Sequence, residues 1–353
     1  MRIKLSVGTS EKFAVIKVIG VGGGGSNAVS HMFDQKIHGV EFIVANTDIQ
    51  ALAKTTAPTK VQLGEKISKG LGVGGNPEIG RQATEENSRR INHILVGTDM
   101  VFIVAGMGGG TGTGGAPVVA SIAKQLGVLT IGIVTKPFNF EGKARMKQAE
   151  NGILNMKEHC DTTIVIPNEK ILTMYDRQTN AQNTFRNVDS VLSNTVRSVS
   201  EIITKHGLIN RDMADLRSIL QNSGEAFIGM GESSSEAVRA REAANKAVSS
   251  PLLEEVTING AGKVLVNIFG GMDITIGEID EAMEIIHSRV SKDAHIFYGQ
   301  VLDPALRGTF RIAVVATDFA KQVNEAKAIN RKQNEPGYWD APAYQEWQTR
   351  KLT

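Results

Sequence analysis

Gly106-Met107-Gly108-Gly109-Gly110-Thr111-Gly112-Thr113-Gly114-Gly115 places seven glycines in ten residues. A chain gives up that many side chains where its backbone must come very close to something. Bare amide groups suit an anion: without Cβ atoms a loop reaches positive φ angles and turns successive N–H groups into one concavity that holds phosphate. The apolar run Met100 to Ala105 reads as a buried strand, and Ala116 to Leu126 reads as a helix with Pro117 in its first turn. The loop therefore delivers its amides to a helix N-terminus, whose dipole also favours phosphate. Thr111 and Thr113 add hydroxyl donors. A flexible linker of this composition is not expected between a buried strand and a proline-started helix.

A second loop of the same kind follows the strand predicted over Phe13 to Gly20: Val21-Gly22-Gly23-Gly24-Gly25-Ser26-Asn27, entering a helix from Ala28 to Gln35. Gly20, Gly22 and Gly25 also satisfy G-x-G-x-x-G, and Asn46-Thr47-Asp48 closes the next strand, about twenty residues later. An NAD-dependent oxidoreductase using these glycines and Asp48 is therefore an open alternative. Against it stand the richer second loop and a downstream half without a placed catalytic histidine or lysine. Two loops after two strands suggest one phosphate chain held from both sides. Lys69 to Asn76, with four glycines, is a third loop that could face it.

The elements that position these loops follow from periodicity. Strands are predicted at Val40 to Ala45, Lys60 to Leu63, Val128 to Thr135 and Thr162 to Ile166, and a helix at Pro77 to Ile91. Lys136 to Arg145 is a loop entering a helix that runs to about His159; Glu141 and Arg145 lie four apart on that helix, and spacing alone favours a plain ion pair. The alternation predicts an α/β fold, a doubly wound parallel sheet with its ligand at the carboxyl ends of the strands. From Thr179 to Lys205, the apolar positions Phe185, Val188, Val191, Leu192, Val196, Val199, Ile202 and Ile203 mark a long amphipathic helix. It spans about 40 Å and suits a spine between two domains. Beyond it, Asp212 and Asp215 fall three apart at a helix start, where N-capping by Asn210 or Asp212 competes with a functional role. Gly224 to Thr317 reads as a smaller α/β domain, with strands near Ala226 to Gly231, Lys263 to Phe269, His295 to Val301 and Phe310 to Ala316 and helices at Ser235 to Val248 and Ile276 to Val290.

Composition narrows the function classes. The 353 residues, 41% hydrophobic and 22% charged, describe an ordinary globular protein large enough for two domains. A net charge of +2 with scattered Lys and Arg gives no footprint for nucleic acid. The single cysteine, Cys160, rules out an internal disulfide and makes the cytosol the expected compartment. Neither a leader in Met1 to Ser10 nor a membrane span is predicted, so membrane attachment is expected to be indirect. No G-x-x-x-x-G-K-[ST] occurs, the seven histidines show no metal spacing, and His159 beside Cys160 reads as structural. Lys321 to Glu335 is a polar linker before a tail that carries both tryptophans, Trp339 and Trp347, and suits a docking peptide, with a tail strand or a disordered end as the open alternatives on composition.

Together these motifs resemble a known family. Gly106 to Gly115 resembles the tubulin-superfamily signature in its FtsZ form, and Val18 to Gly25, Lys136 to Gly142 (KPFNFEG) and Asn210 to Asp215 look like the other FtsZ motifs, in the family's order, across about residues 13 to 318. The resemblance implies a GTP-binding, GTP-hydrolysing protein that polymerises into filaments and forms the cytokinetic ring of bacterial cell division. It implies a phosphate site at Gly23, Gly24, Gly25, Ser26, Asn27, Gly108, Gly109, Gly110, Thr111 and Gly112, with Glu141, Arg145 and Asn168 toward the sugar and Phe185 and Asp189 at the guanine. Asn210, Asp212 and Asp215 would complete the active site of the neighbouring subunit. Mg²⁺ would arrive mainly with the nucleotide. The implied partners are further copies of the chain, and division proteins and membrane adaptors at the tail. The implied location is the division ring at midcell, on the inner face of the membrane. The corresponding division of the chain is 1–12 extension, 13–178 GTP-binding domain, 179–206 central helix, 207–222 catalytic loop and following helix, 223–318 C-terminal domain, 319–336 linker and 337–353 tail.

Overall fold

The computed structural model describes residues 14–174, 180–204, 212–253 and 258–319; the expected N-terminal extension, the linker from residue 320, the tail, and residues 207–211 of the expected catalytic loop with Asn210, lie outside them. β1 (Ile16–Val21) leads into α1 (Gly22–Asp34), β2 (Glu41–Asn46), α2 (Ile49–Lys54), β3 (Thr59–Gln62), α3 (Glu65–Ser68), α4 (Pro77–Glu86) and α5 (Ser88–Leu95). There follow β4 (Met100–Gly106), α6 (Thr111–Gln125), β5 (Leu129–Lys136), α7 (Lys143–His159), β6 (Thr162–Pro167), α8 (Asn168–Met174), α9 (Ala181–Thr204) and α10 (Met213–Leu220). The remainder is β7 (Gly224–Ser233), α11 (Arg239–Val248), β8 (Lys263–Gly270), α12 (Ile276–Arg289), β9 (His295–Leu302) and β10 (Phe310–Thr317).

The strands join in the order β3-β2-β1-β4-β5-β6-β7-β10-β8-β9. β1 to β6 are mutually parallel, as the strand–helix alternation requires. β7 couples the two halves: Gly224 to Ala226 pair in parallel with Thr162 to Ile164, and Phe227 to Ser233 then pair antiparallel with β10. Alternation with period two splits β4 between two cores, Met100, Phe102 and Val104 into one and Val101, Ile103 and Ala105 into the other. α9 lies in the first core through Val188, Val191, Leu192, Val196, Val199 and Ile202, which also holds Leu265 of β8 and Val315 of β10. Each such burial contributes about 2 kcal/mol. The helix is thus packed on both halves of the sheet, as a spine requires.

Five local expectations are corrected. The glycines of Gly22 to Asn27 and Gly112 to Gly115 are helical rather than looped, because α1 begins at Gly22 and α6 at Thr111. Pro117 therefore sits inside α6, not in its first turn. The reason is close packing: a Cβ on Gly25 would collide with the Val104 carbonyl of β4, and one on Gly114 with the Pro77 carbonyl of α4. The helix expected over Pro77 to Ile91 is broken at Asn87, whose Oδ1 accepts from the Gly64 amide at 2.7 Å. Glu141 closes a 3-10 turn (Asn139–Glu141) ahead of α7, the break falling at Gly142 with φ 97°. Phe185, counted in the apolar stripe of α9, is 49% exposed.

Candidate functional site

The carboxyl ends of β1, β2, β4, β5 and β6 converge on a cavity of about 480 Å³. Two helix N-termini face it, Gly23, Gly24 and Asn27 from α1 and Thr111 and Gly112 from α6, with Gly109 and Gly110 between β4 and α6. The first amides of a helix have no partner within it, so two such ends make an anion site from backbone alone. A Cβ on Gly23 or Gly109 would meet nothing within 4 Å; both glycines leave room beside the backbone. The Thr111 hydroxyl is hydrogen-bonded to that of Thr47 at 2.7 Å.

Three residues expected here are directed elsewhere. The Ser26 hydroxyl is buried and donates to the Gly22 carbonyl at 2.6 Å, and Gly25 is wedged against Gly20 and Val104. The Gly108 amide donates to Thr113 Oγ1 at 2.9 Å, which commits both groups to holding the loop's shape. The Lys69 to Asn76 loop does reach the cavity, through Gly72 to Gly75.

The opposite wall comes from α7, α8 and α9. Glu141 Oε1 accepts from the Phe138 amide at 2.8 Å, and its Oε2 pairs with Arg145 Nε at 3.1 Å. The ion pair expected from spacing is therefore formed, and it also lines the cavity. Phe185 packs in a T-shaped arrangement against buried Phe138, ring centroids 5.5 Å apart, and remains half exposed. Burial pushes the Asp189 carboxyl up to about 7. Asn168 is 6% exposed, and its Oδ1 has no hydrogen-bond partner among the described residues. An orphaned acceptor, a half-buried carboxyl and a half-exposed aromatic ring in one cavity fit a planar ligand with N–H and O–H donors. Thr47 and Asn46 also line the wall, and neither was singled out for this role from sequence. Their signal was their place at the end of the strand beside β1.

Asp212 and Asp215 are not in this cavity. Asp212 caps α10, its Oδ1 accepting from the Asp215 amide at 2.8 Å, so the capping expectation holds. Arg217 of the same helix donates to the carbonyls of Gly127 and Asp99, both at 3.4 Å. Those carbonyls lie where β5 and β4 begin, so α10 sits at the amino ends of the strands, about 20 Å of strand away from the cavity.

Residues 15–176 match the model of the tubulin/FtsZ family GTPase domain, and residues 224–320 that of the FtsZ family C-terminal domain. The chain is 50% identical to the cell division protein FtsZ of Coxiella burnetii over 92% of its own length and 84% of that protein's. The chain belongs to the tubulin/FtsZ family. It is also 49% identical to the FtsZ of Azotobacter vinelandii, over 90% of this chain and 80% of that one. Among solved structures, an empty FtsZ dimer of M. jannaschii superposes with a TM-score of 0.83 at 43% identity, covering 87% of this chain and 89% of that one. CetZ2 of Haloferax volcanii, at 20% identity and a TM-score of 0.73, shares the fold. Membership of the tubulin/FtsZ family implies guanine-nucleotide binding and GTP hydrolysis. The oxidoreductase alternative is not supported: Gly20 and Gly25 pack strand on helix, and Asp48 caps α2 by accepting from the Gln50 and Ala51 amides. Among the described residues no helix is long and apolar enough to cross a membrane. None of their His, Cys, Asp and Glu side chains form a group of three or more suited to a metal ion.

Proposed function

We propose that this chain binds GTP in the cavity at the strand ends and assembles head to tail into filaments that form the cytokinetic ring of bacterial cell division. Hydrolysis then takes place at the seam between protomers. The observation that carries the reading is the placement of α10 at the amino ends of the strands, opposite the cavity. A protomer cannot bring its own Asp212 and Asp215 to a phosphate held by α1 and α6, whereas a second copy stacked on the first can. A contact of this heterologous kind, if it does not close, generates an open filament. The dimeric state of the M. jannaschii relative and the name of the Coxiella burnetii one support the assembly and the cellular role.

In this reading, Gly23, Gly24, Asn27 and Gly109 to Gly112 hold the phosphates by their amides. Gly25, Ser26 and Gly108 support that backbone by packing and internal hydrogen bonds. Glu141, Arg145 and Asn168 meet the sugar, and Phe185 and Asp189 the base. Asp212 and Asp215, with Asn210 outside the described residues, orient and polarise the attacking water in the neighbouring site. Mg²⁺ arriving with the nucleotide would neutralise phosphate charge, and the Thr47 and Thr111 hydroxyls are among the polar side chains that line the cavity there. The aromatic tail, also outside the described residues, would dock division proteins and membrane adaptors that hold the ring to the membrane at midcell.

The test is GTPase rate per subunit against protein concentration, with light scattering. The rate is expected to rise steeply where scattering appears, and a flat dependence would exclude the shared site. Asp212→Ala is expected to bind GTP normally while turnover falls about 100-fold. Equal losses of binding and turnover would place this acid in the protomer's own site instead.

A further inference from the structure

The loop from Lys69 to Asn76 is held at both ends and slack in the middle. At its start the Gly70 carbonyl accepts from the Ile49 amide at 3.1 Å, and the Gly72 amide donates to the Thr47 carbonyl at 3.3 Å. At its end Asn76 caps α4, and Val73 is buried against Gly110. Between these anchors, Gly74 and Gly75 have φ of 58° and 77°, and a Cβ on either would meet nothing within 4 Å. Two left-handed glycines without packing neighbours are a hinge, and both line the cavity.

A side-chain hydrogen bond nevertheless reaches this segment: Gln148 Nε2 donates to the Gly75 carbonyl at 2.9 Å. Gln148 stands three residues after Arg145 on α7, so the two share a helix face. One face of α7 therefore reaches the cavity through Arg145 in its wall and, through Gln148, the hinge of the loop that flanks it. The structure assigns Gln148 a positioning role: it latches the glycine-hinged loop against the cavity and so slows the release of a bound guanine nucleotide. This rests on the reading of the cavity as the GTP site.

One net hydrogen bond corresponds to a factor of about five in an equilibrium. Release of a fluorescent GDP analogue by stopped flow is therefore expected to be about fivefold faster in Gln148→Ala than in the parent chain. Gln148→Glu, which cannot donate, should release at least as fast, and Gln148→Lys, which restores a donor of similar reach, should return toward the parent rate. In nucleotide-free protein, hydrogen exchange of the Leu71 to Asn76 amides should rise in Gln148→Ala while the rest of the chain is unmoved, a readout independent of nucleotide. Unchanged exchange and unchanged release in Gln148→Ala would overturn the latch and leave the GTP site standing. Equal acceleration in Gln148→Lys would overturn it too, since the donor would not matter. A parent chain that binds no guanine nucleotide would instead overturn the reading of the cavity, and the role in release with it.

Discussion

The polar groups of the C-terminal half and those of the cavity are arranged in opposite ways. In the C-terminal half, Arg239 of α11 is buried and its guanidinium donates to both carboxylate oxygens of Glu278, to Asp273 Oδ2 and to the Asp273 carbonyl. Glu278 closes a capping box with Thr275 at the start of α12, and Asp273 also accepts from the Gly308 amide. The guanidinium holds both carboxyls below the usual carboxylate range. The network joins three segments and leaves little capacity for anything else. In the cavity, by contrast, Asp189 is raised by burial, Asn168 Oδ1 is orphaned, and Gly23 and Gly109 leave open space. Unmet hydrogen-bonding capacity costs free energy, which is recovered when a ligand supplies the partners. The two regions thus separate what holds the chain together from what it holds.

That separation can be broken most severely at two neighbouring glycines. Gly25→Ala forces a methyl into the Val104 carbonyl and is expected to cost about 3 kcal/mol in urea unfolding, with nucleotide affinity reduced only through the fold. Gly23→Ala, two residues earlier, adds its methyl to open space; stability should hold or rise slightly with helix propensity, while GTP affinity falls. Equal effects of the two substitutions on stability would erase the distinction between packing and ligand-facing glycines. Next in size is Arg239→Met, which strands two carboxylates at a cost of about 2 kcal/mol, at the low end for broken ion pairs because the acids keep contact with water. Nucleotide binding by the still-folded fraction should be unchanged, as measured by titration calorimetry.

How far the sequence carries this picture depends on the range of the forces involved. The parallel strands and their order of appearance were legible because β4 and its neighbours are apolar on both faces, and the cavity was legible because glycine runs follow two of their carboxyl ends. Where α1 and α6 begin was not, since glycine has no local preference that distinguishes a loop from a helix packed hard on a neighbour. The break at Asn87 depends on Gly64, twenty-three residues away. The place of α10 depends on Arg217 meeting Gly127 and Asp99, about a hundred residues upstream, so capping by Asp212 could be read locally but its distance from the cavity could not. Asn168 and Asp189 carry no spacing signal of their own, and the spacing of Phe185 marks it only as part of the apolar stripe of α9. Their place in a site entered through the family resemblance, and the fold brings all three to one wall.

The finest test of the comparison is the proton on Asp189. In the nucleotide-free protein its carboxyl keeps a proton up to about pH 7, against 3.8 in the unfolded chain. Between those values the folded state binds more protons, so this group makes stability fall as pH rises from about 4 to 7 and adds no slope above. The melting temperature of nucleotide-free Asp189→Asn should therefore lose that part of its pH dependence. Guanine presents N–H donors at N1 and N2, which an ionised carboxylate accepts and a protonated one does not match. In the proposed contact the proton has to leave on binding: GTP affinity should climb between pH 5.5 and 7, by up to about tenfold per unit, and level off above. Asp189→Asn should flatten the profile and bind about tenfold more weakly at pH 8. A parent affinity that stays constant across this range would mean that Asp189 does not carry the base contact, and that burial alone, without a ligand to relieve it, raises this carboxyl.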